Sequence, residues 1–239
     1  MFTLVYGETG TKPISVHIQQ RLLIFWHRLA TEGQNKLSNI LYNLQRNIYP
    51  NENNYTSPWL DKIKYLLNEC GLSYIWENPS IIDNHTFKIK IKSSLDEIFR
   101  LKWLNDTMEN NHCRIYRIFK TNLNLENYLV KLDLHDRINL CKFRCSNSRI
   151  PTVAGRYNNI EYEHRICSLC NMGDIGDEYH YTMLCPYFKN DRKKLIDSKY
   201  WTNPNIDKLS YLFSSENVKI LKNLAKFAKN VTEKFKQIP

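Results

Sequence analysis

Residues 165–188, RICSLCNMGDIGDEYHYTMLCPYF, hold three of the chain's seven cysteines and one of its seven histidines. Thiolate sulfur and neutral imidazole nitrogen are donors that zinc prefers, and a structural site takes four of them in a tetrahedron with no position left for water. Cys167-Ser-Leu-Cys170 is a C-x2-C pair, which a tight turn aims at one ion. His180 and Cys185 follow as H-x4-C, and the nine residues between the two pairs include Gly173 and Gly176, enough to form a loop. Cys167, Cys170, His180 and Cys185 are therefore a Cys3His candidate for Zn2+, spaced as a closed structural site and not a catalytic one. Such a site contributes on the order of 10 kcal/mol to folding its own small module. Taken singly, Cys170 and Cys185 read as small buried hydrophobes and His180 as a surface residue of a short helix. That reading does not explain why the four fall within 19 positions.

The remaining chemistry-bearing residues are less organised. Cys141 and Cys145 lie one helical turn apart in CKFRC with no neighbour to complete a ligand set, so they read as core or surface thiols. His164 is an alternative ligand just before the site, although His180 fits the spacing better. The other five histidines, His17, His27, His85, His112 and His135, are isolated. The phosphate-binding G-x4-G-K-[ST], the G-x-G-x-x-G and G-x-S-x-G turns, H-E-x-x-H and the polymerase Tyr-x-Asp-Asp are all missing from the sequence. No catalytic residues are assigned, and the chain is not expected to be an enzyme. The carboxylate pairs Asp96-Glu97 and Asp177-Glu178 read as solvated helix residues. Asp177 and Glu178 would sit near the start of the short helix carrying His180, where negative charge complements the helix dipole.

The elements that must position these residues are mostly helical. Seven glycines in 239 residues and apolar residues at three- and four-residue spacing point to a mainly α protein: a helical domain, a small zinc-stabilised Cys3His module, then C-terminal helices. A helix is expected over Ile14–Ala30, with Ile18, Leu22, Phe25 and Leu29 as its stripe and Gly33 ending it; a second follows over Leu37–Ile48, closed by Pro50. In SPWLDKIKYLLNECG, Ser57 caps, Pro58 takes the first helical position, and Gly71 stops the helix. FKIKIK at 87–92 alternates with period two and is left open between strand and helix, with helix expected from about Ser94. A further helix is expected over Leu125–Leu132. SNSRIPTVAGRYNNI reads as an extended connection, because Pro151 biases Ile150 away from helix and Gly155 punctuates the stretch. The domain boundary is accordingly placed there, giving 1–145 and 146–239. The last helix is expected over Glu216–Phe235, with Val218, Leu221, Leu224 and Val231 on one side and Lys222, Lys226 and Lys229 on another.

Thirty-four Lys and Arg against 24 Asp and Glu give a net charge of +10, which favours a polyanionic partner over a neutral one; a merely solvated basic surface is the plain alternative. The opening residues MFTLVYGETGTKP carry no signal-peptide pattern, and no apolar run is long enough to span a bilayer. An intracellular protein of cytoplasm or nucleus, without a membrane partner, is the expectation. The odd cysteine count favours metal or free thiols over a disulfide framework.

With the ligands placed, FRCSNSRIPTVAGRYNNIEYEHRICSLCNMGDIGDEYHYTMLCPYFKNDRKKL resembles the C-terminal, post-polymerase region of non-LTR (LINE-type) retrotransposon reverse transcriptases in its C-x2-C, Asp-Glu-x-His and Cys-Pro-x-[Phe/Tyr] landmarks and the basic helix after them. The match is specific from about Leu140 to Leu195. Upstream phrases such as FWHRL, KLSNILY and YRIFKTN are similar to the stretch that follows the polymerase domain in such proteins. The resemblance implies the tail of a larger protein, a zinc module that binds RNA or DNA, and the parent polymerase region as a partner in cis or trans. It departs from the family pattern at Ser148 and Val153, where relatives often carry His and Glu; with the missing polymerase motif this points to a truncated or decaying copy. Nucleic-acid contacts are expected from Arg149, Arg156 and Arg165 before the site and Lys189, Arg192, Lys193 and Lys194 after it. Tyr179, Tyr181, Tyr187 and Phe188 are the expected stacking platforms. The alternative is a zinc-stapled helical module for a protein partner, docking through helix Glu216–Phe235.

Overall fold

The computed structural model describes residues 2–31, 36–48 and 57–237. Gly33 and Pro50, expected to close the first two helices, lie outside the described residues. The described residues are mainly helical, and their only β pairing is two isolated bridges. Two compact units result: Lys12–Trp103, and Met1–Thr11 together with Leu104–Pro239.

In the Lys12–Trp103 unit, helix Ile14–Thr31 buries Val16, Leu23, Trp26, His27 and Leu29. The expected stripe is rotated: Ile18 and Phe25 are exposed, whereas Leu23, Trp26 and His27 face inward at the i, i+3, i+4 spacing of one helix face. Both stripes satisfy the helical period. The larger payload decides between them, because Trp26 stacks on Trp76 at 5.7 Å and His27 on Phe87 at 4.1 Å. His27 also has a polar partner at each ring nitrogen, Asn84 Oδ1 2.8 Å from Nδ1 and Pro79 O 2.9 Å from Nε2, so this isolated histidine is a core residue.

Helix Pro58–Glu69 follows its sequence signals closely. Ser57 Oγ accepts from Leu60 N–H at 3.4 Å, and Leu60, Ile63 and Leu67 are fully buried. Gly71 sits at φ +67, the left-handed conformation that a side chain resists, and Leu72 N–H reaches back to Leu67 O at 2.8 Å. FKIKIK proves helical: helix Asn84–Glu109 starts ten residues ahead of Ser94, capped by Asp83, whose Oδ1 accepts from His85 and Thr86 N–H. Phe87 and Ile91, four apart, are fully buried while Ile89 is exposed, so the alternation lies across a helix and not a sheet.

In the other unit, helix Leu134–Arg144 packs along helix Val218–Lys236, burying Leu140, Phe143, Leu221, Leu224, Phe227, Ala228 and Val231. The last helix runs close to its expected span, with Lys222 and Lys226 outward as expected and Val218 exposed against expectation. Its apolar face needs a partner, and residues before 146 supply one. The expected boundary at 145/146 therefore falls inside this unit. The helix expected over Leu125–Leu132 forms as Asn127–Lys131. The supposed extended connection holds a helix, Pro151–Tyr157, with Ile150 extended (φ −70, ψ 158) just before it. Proline at the first helical position starts this helix, and its steric effect keeps only Ile150 extended.

Candidate metal centre

The C-x2-C pair sits on a small hairpin. Ile166 and Ile175 form an antiparallel bridge, Cys167 N–H donates to Asp174 O at 2.9 Å, and Gly176 N–H donates to Arg165 O at 2.8 Å. Leu169 N–H points at Cys167 Sγ at 3.4 Å, a contact that stabilises a metal-bound thiolate. Gly176 is needed for close approach: a Cβ there would stand 2.5 Å from Tyr181 Oη and 2.8 Å from Pro151 Cγ.

The second pair comes from a short wide turn. Asp177 Oδ1 accepts from His180 N–H at 2.8 Å and starts it, and residues His180–Leu184 then form a single π-helical turn closed by Cys185 N–H to His180 O at 2.8 Å. The i to i+5 hydrogen bond brings residues five apart together, as the H-x4-C spacing requires; single π turns of this kind concentrate at functional sites.

The result is one cluster. Sγ of Cys167, Cys170 and Cys185 and a ring nitrogen of His180 all lie within 4.8 Å of one another. Cys167 Sγ and Cys185 Sγ are 4.0 Å apart, and Cys170 Sγ is 3.4 Å from His180 Nε2. Bond lengths of about 2.3 Å to sulfur and 2.0 Å to nitrogen give tetrahedral edges of about 3.8 Å between sulfurs and 3.5 Å between sulfur and nitrogen, close to these two separations. His180 Nδ1 has no hydrogen-bond partner but faces Asp174 Oδ2 at 3.4 Å, the side from which a carboxylate orients a ligating imidazole. Burial holds His180 below the usual imidazole range against the pull of Asp174, which leaves the ring neutral. Burial above all, with the neighbouring Cys167 and Cys170 sulfurs adding to it, pushes the Cys185 thiol up to about 12. His164 is exposed and outside the cluster.

Other sequence expectations are redistributed. Arg192 is 3% exposed and donates to Tyr181 O at 2.9 Å, Leu184 O at 3.1 Å and Cys185 O at 2.6 Å. It is not free for nucleic acid; it holds the carbonyls of the turn that carries His180 and Cys185. Arg192→Met is accordingly expected to weaken metal affinity about 10- to 100-fold, measured by competition with a chromophoric chelator, because it removes a support of the ligands and none of the ligands. Arg165 donates to Ile160 O and Thr152 O, and Arg156 donates to Ser146 O; neither side chain is exposed. Arg149, Lys189, Lys193 and Lys194 are exposed. Of the expected stacking platforms, Tyr181 and Phe188 are buried and Tyr187 is exposed, with Lys234 Nζ 5.1 Å from its ring. Glu178 is also corrected: it is 2% exposed, and burial followed by Asp177 pushes it up to about 7. Its neighbour Asp177, also mostly enclosed, is raised chiefly by burial. Ser148 and Val153 are both buried.

Sequence alone puts Arg192 on nucleic acid and not under the turn, and it gives no sign of the buried network of Glu8, Arg144 and Glu126. A basic residue four after Phe188 carries no signal that separates it from Lys193 and Lys194. No protein-family model, no curated protein and no solved structure matches the chain. Among the described residues no helix is long and apolar enough to cross a membrane.

Proposed function

We propose that the chain is a non-catalytic, zinc-stabilised nucleic-acid-binding module, derived from the post-polymerase region of a retroelement reverse transcriptase and working with RNA or DNA as its partner. The observation that carries the reading is the Cys3His cluster, four donor residues whose ligand atoms lie within 4.8 Å of one another, the donor set that zinc prefers. Hard cations such as Mg2+ and Ca2+ take oxygen ligands and have none here. Nucleic-acid binding is supported by the +10 net charge and by exposed Lys189, Lys193, Lys194 and Arg149, with Tyr187 as an exposed ring beside Lys234. The retroelement origin is supported by the motif resemblance alone.

With Arg192, Arg165 and Arg156 turned to backbone carbonyls, four exposed cations remain, so log affinity is expected to fall with log salt at a slope of about −3. Filter binding of single- and double-stranded RNA and DNA across a salt series checks this. Joint Lys189→Glu, Lys193→Glu and Lys194→Glu should abolish retention at moderate salt while leaving the zinc stoichiometry at one. Retention unaffected by these changes, or none at low salt, overturns the reading. The protein-partner alternative loses the surface it was built on, since Leu221, Leu224, Phe227 and Val231 of the last helix are buried within the fold.

A further inference from the structure

Cys141 and Cys145 are free thiols outside the Cys3His cluster, and both line one half-enclosed cavity of about 420 Å3. Helix Phe2–Thr9 contributes Leu4 and Val5 to it, helix Leu134–Arg144 contributes Cys141, and Leu129 and the exposed Tyr157 complete a mainly apolar lining. All of these residues belong to one compact unit. Neither cysteine is sealed in, since each keeps part of its surface accessible. A volume of this size is that of a small-molecule site, which spans about 300–1,000 Å3.

The two thiols are one helical turn apart and inequivalent. Cys145 is the C-cap, its N–H donating to Cys141 O at 2.9 Å; Ser146 then turns left-handed at φ 47, and Asn147 N–H closes the end onto Lys142 O at 2.8 Å. The negative end of the helix dipole disfavours a thiolate at Cys145. Its S–H is instead turned to the Cys141 sulfur, a hydrogen bond that holds Cys141 below the ordinary thiol range against the opposing effect of burial and raises Cys145. The other two cysteines outside the cluster are poorer nucleophiles: Cys113 is fully buried, and burial pushes Cys70 up to about 11.

A sulfur nucleophile in an apolar cavity, with a proton donor beside it, suits an addition reaction. We propose that Cys141 is a covalent modification site for an apolar α,β-unsaturated carbonyl compound, whose tail lies against Leu4, Val5 and Leu129. The Cys141 sulfur bonds to the β-carbon, the C=C π pair moves toward the carbonyl, and the α-carbon takes its proton from the Cys145 thiol, which water then reprotonates. No oxidant is consumed and no group leaves. The site does not depend on the nucleic-acid reading.

Two maleimides with the same reactive group and different tails, N-octyl and N-methyl, test it on the zinc-loaded full chain, with adducts located and timed by peptide mass spectrometry. Each rate is divided by that of the same reagent with free glutathione. The expected result is that Cys141 reacts first, that its rate saturates with N-octylmaleimide, and that the octyl reagent is favoured there by about tenfold, the effect of burying about two methylenes. Leu4→Asn should remove the octyl preference while leaving the N-methyl rate unchanged. Cys145→Ala should slow the Cys141 adduct about tenfold, and Cys145→Ser, which restores a donor, should recover most of that rate. Each variant is checked for zinc content and helical circular dichroism. First reaction at another cysteine, or equal normalised rates for the two tails at Cys141, overturns the site. A Cys145→Ala chain that reacts at the wild-type rate overturns the pairing on which the addition rests.

Discussion

Cys185→Ser, or chelation of the wild-type chain, is expected to release the bound metal and unfold the segment from Ile166 to Phe188, with a loss on the order of 10 kcal/mol in the coupled metal-binding and folding free energy. Cys185 is fully buried and its sulfur faces Cys167 at 4.0 Å. Three remaining ligands leave an open position, which turns a closed structural site into a weak one. The segment's regular hydrogen bonding is slight: one isolated bridge, a few turn hydrogen bonds and a single π turn. The effect should spread beyond the ligands. Tyr181 packs on Phe188 at 5.8 Å and on Phe235 at 5.2 Å, and Phe188 packs on Phe227 at 6.0 Å, so the turn that carries His180 and Cys185 forms one wall of the core over helix Val218–Lys236. Metal content by mass spectrometry and thermal unfolding followed by circular dichroism measure both parts. A C185S chain that still holds one metal ion, or unfolds at the wild-type temperature, would refute the structural role of the cluster.

The second large effect lies away from the metal. Arg144, 1% exposed, donates from Nε to Glu8 Oε2 at 3.1 Å, from Nη2 to Glu8 Oε1 at 3.1 Å and Glu126 Oε2 at 2.7 Å, and from Nη1 to Phe213 O at 2.5 Å. Tyr128 O–H donates to Glu8 Oε2 at 2.5 Å, and Lys120 Nζ pairs with Glu126 Oε1 at 2.5 Å. Two carboxylates and two cations thus close a buried set that ties helix Phe2–Thr9 to helices Asn127–Lys131 and Leu134–Arg144. Breaking such a set by removing one partner costs about 3–5 kcal/mol, because the others stay buried without a counter-charge. Arg144→Met should therefore lower the melting temperature by about 10 °C. Adding Glu8→Gln should recover part of that loss, since it removes the uncompensated charge. A double-mutant cycle in urea reads the coupling; single losses below 1 kcal/mol, or strict additivity, would show that the set is not a stabilising unit.

Much of the local structure was readable because it depends on short-range chemistry. The cap at Ser57, the proline at Pro58 and the stop at Gly71 act within one helical turn, and they appear where the residues specify. The four ligands were readable for a related reason: C-x2-C and H-x4-C spacings limit which backbone turns can close, and the hairpin and π turn are such turns. Errors arose wherever two local readings were equally good. Ile18 and Leu23 both fit a helical stripe, and FKIKIK fits two periods, so the choice fell to Trp26 on Trp76 and to the Asp83 cap. Pro151 can end one element or begin the next, and the burial of Thr152 and Val153 decided for the helix.

The sequence by itself determined the mainly helical class, the capped helices and the four members of the Cys3His cluster, because propensity, capping and ligand spacing act over a few residues. Only the tertiary structure decided which charges are spent inside the fold. Glu8 lies 136 positions from Arg144, and Arg192 is one of four basic residues in a run of six, so nothing local distinguishes the buried guanidinium from the solvated ammonium beside it. The desolvation cost of a charge is repaid only by partners that the fold brings near, and those partners are fixed by packing at long range.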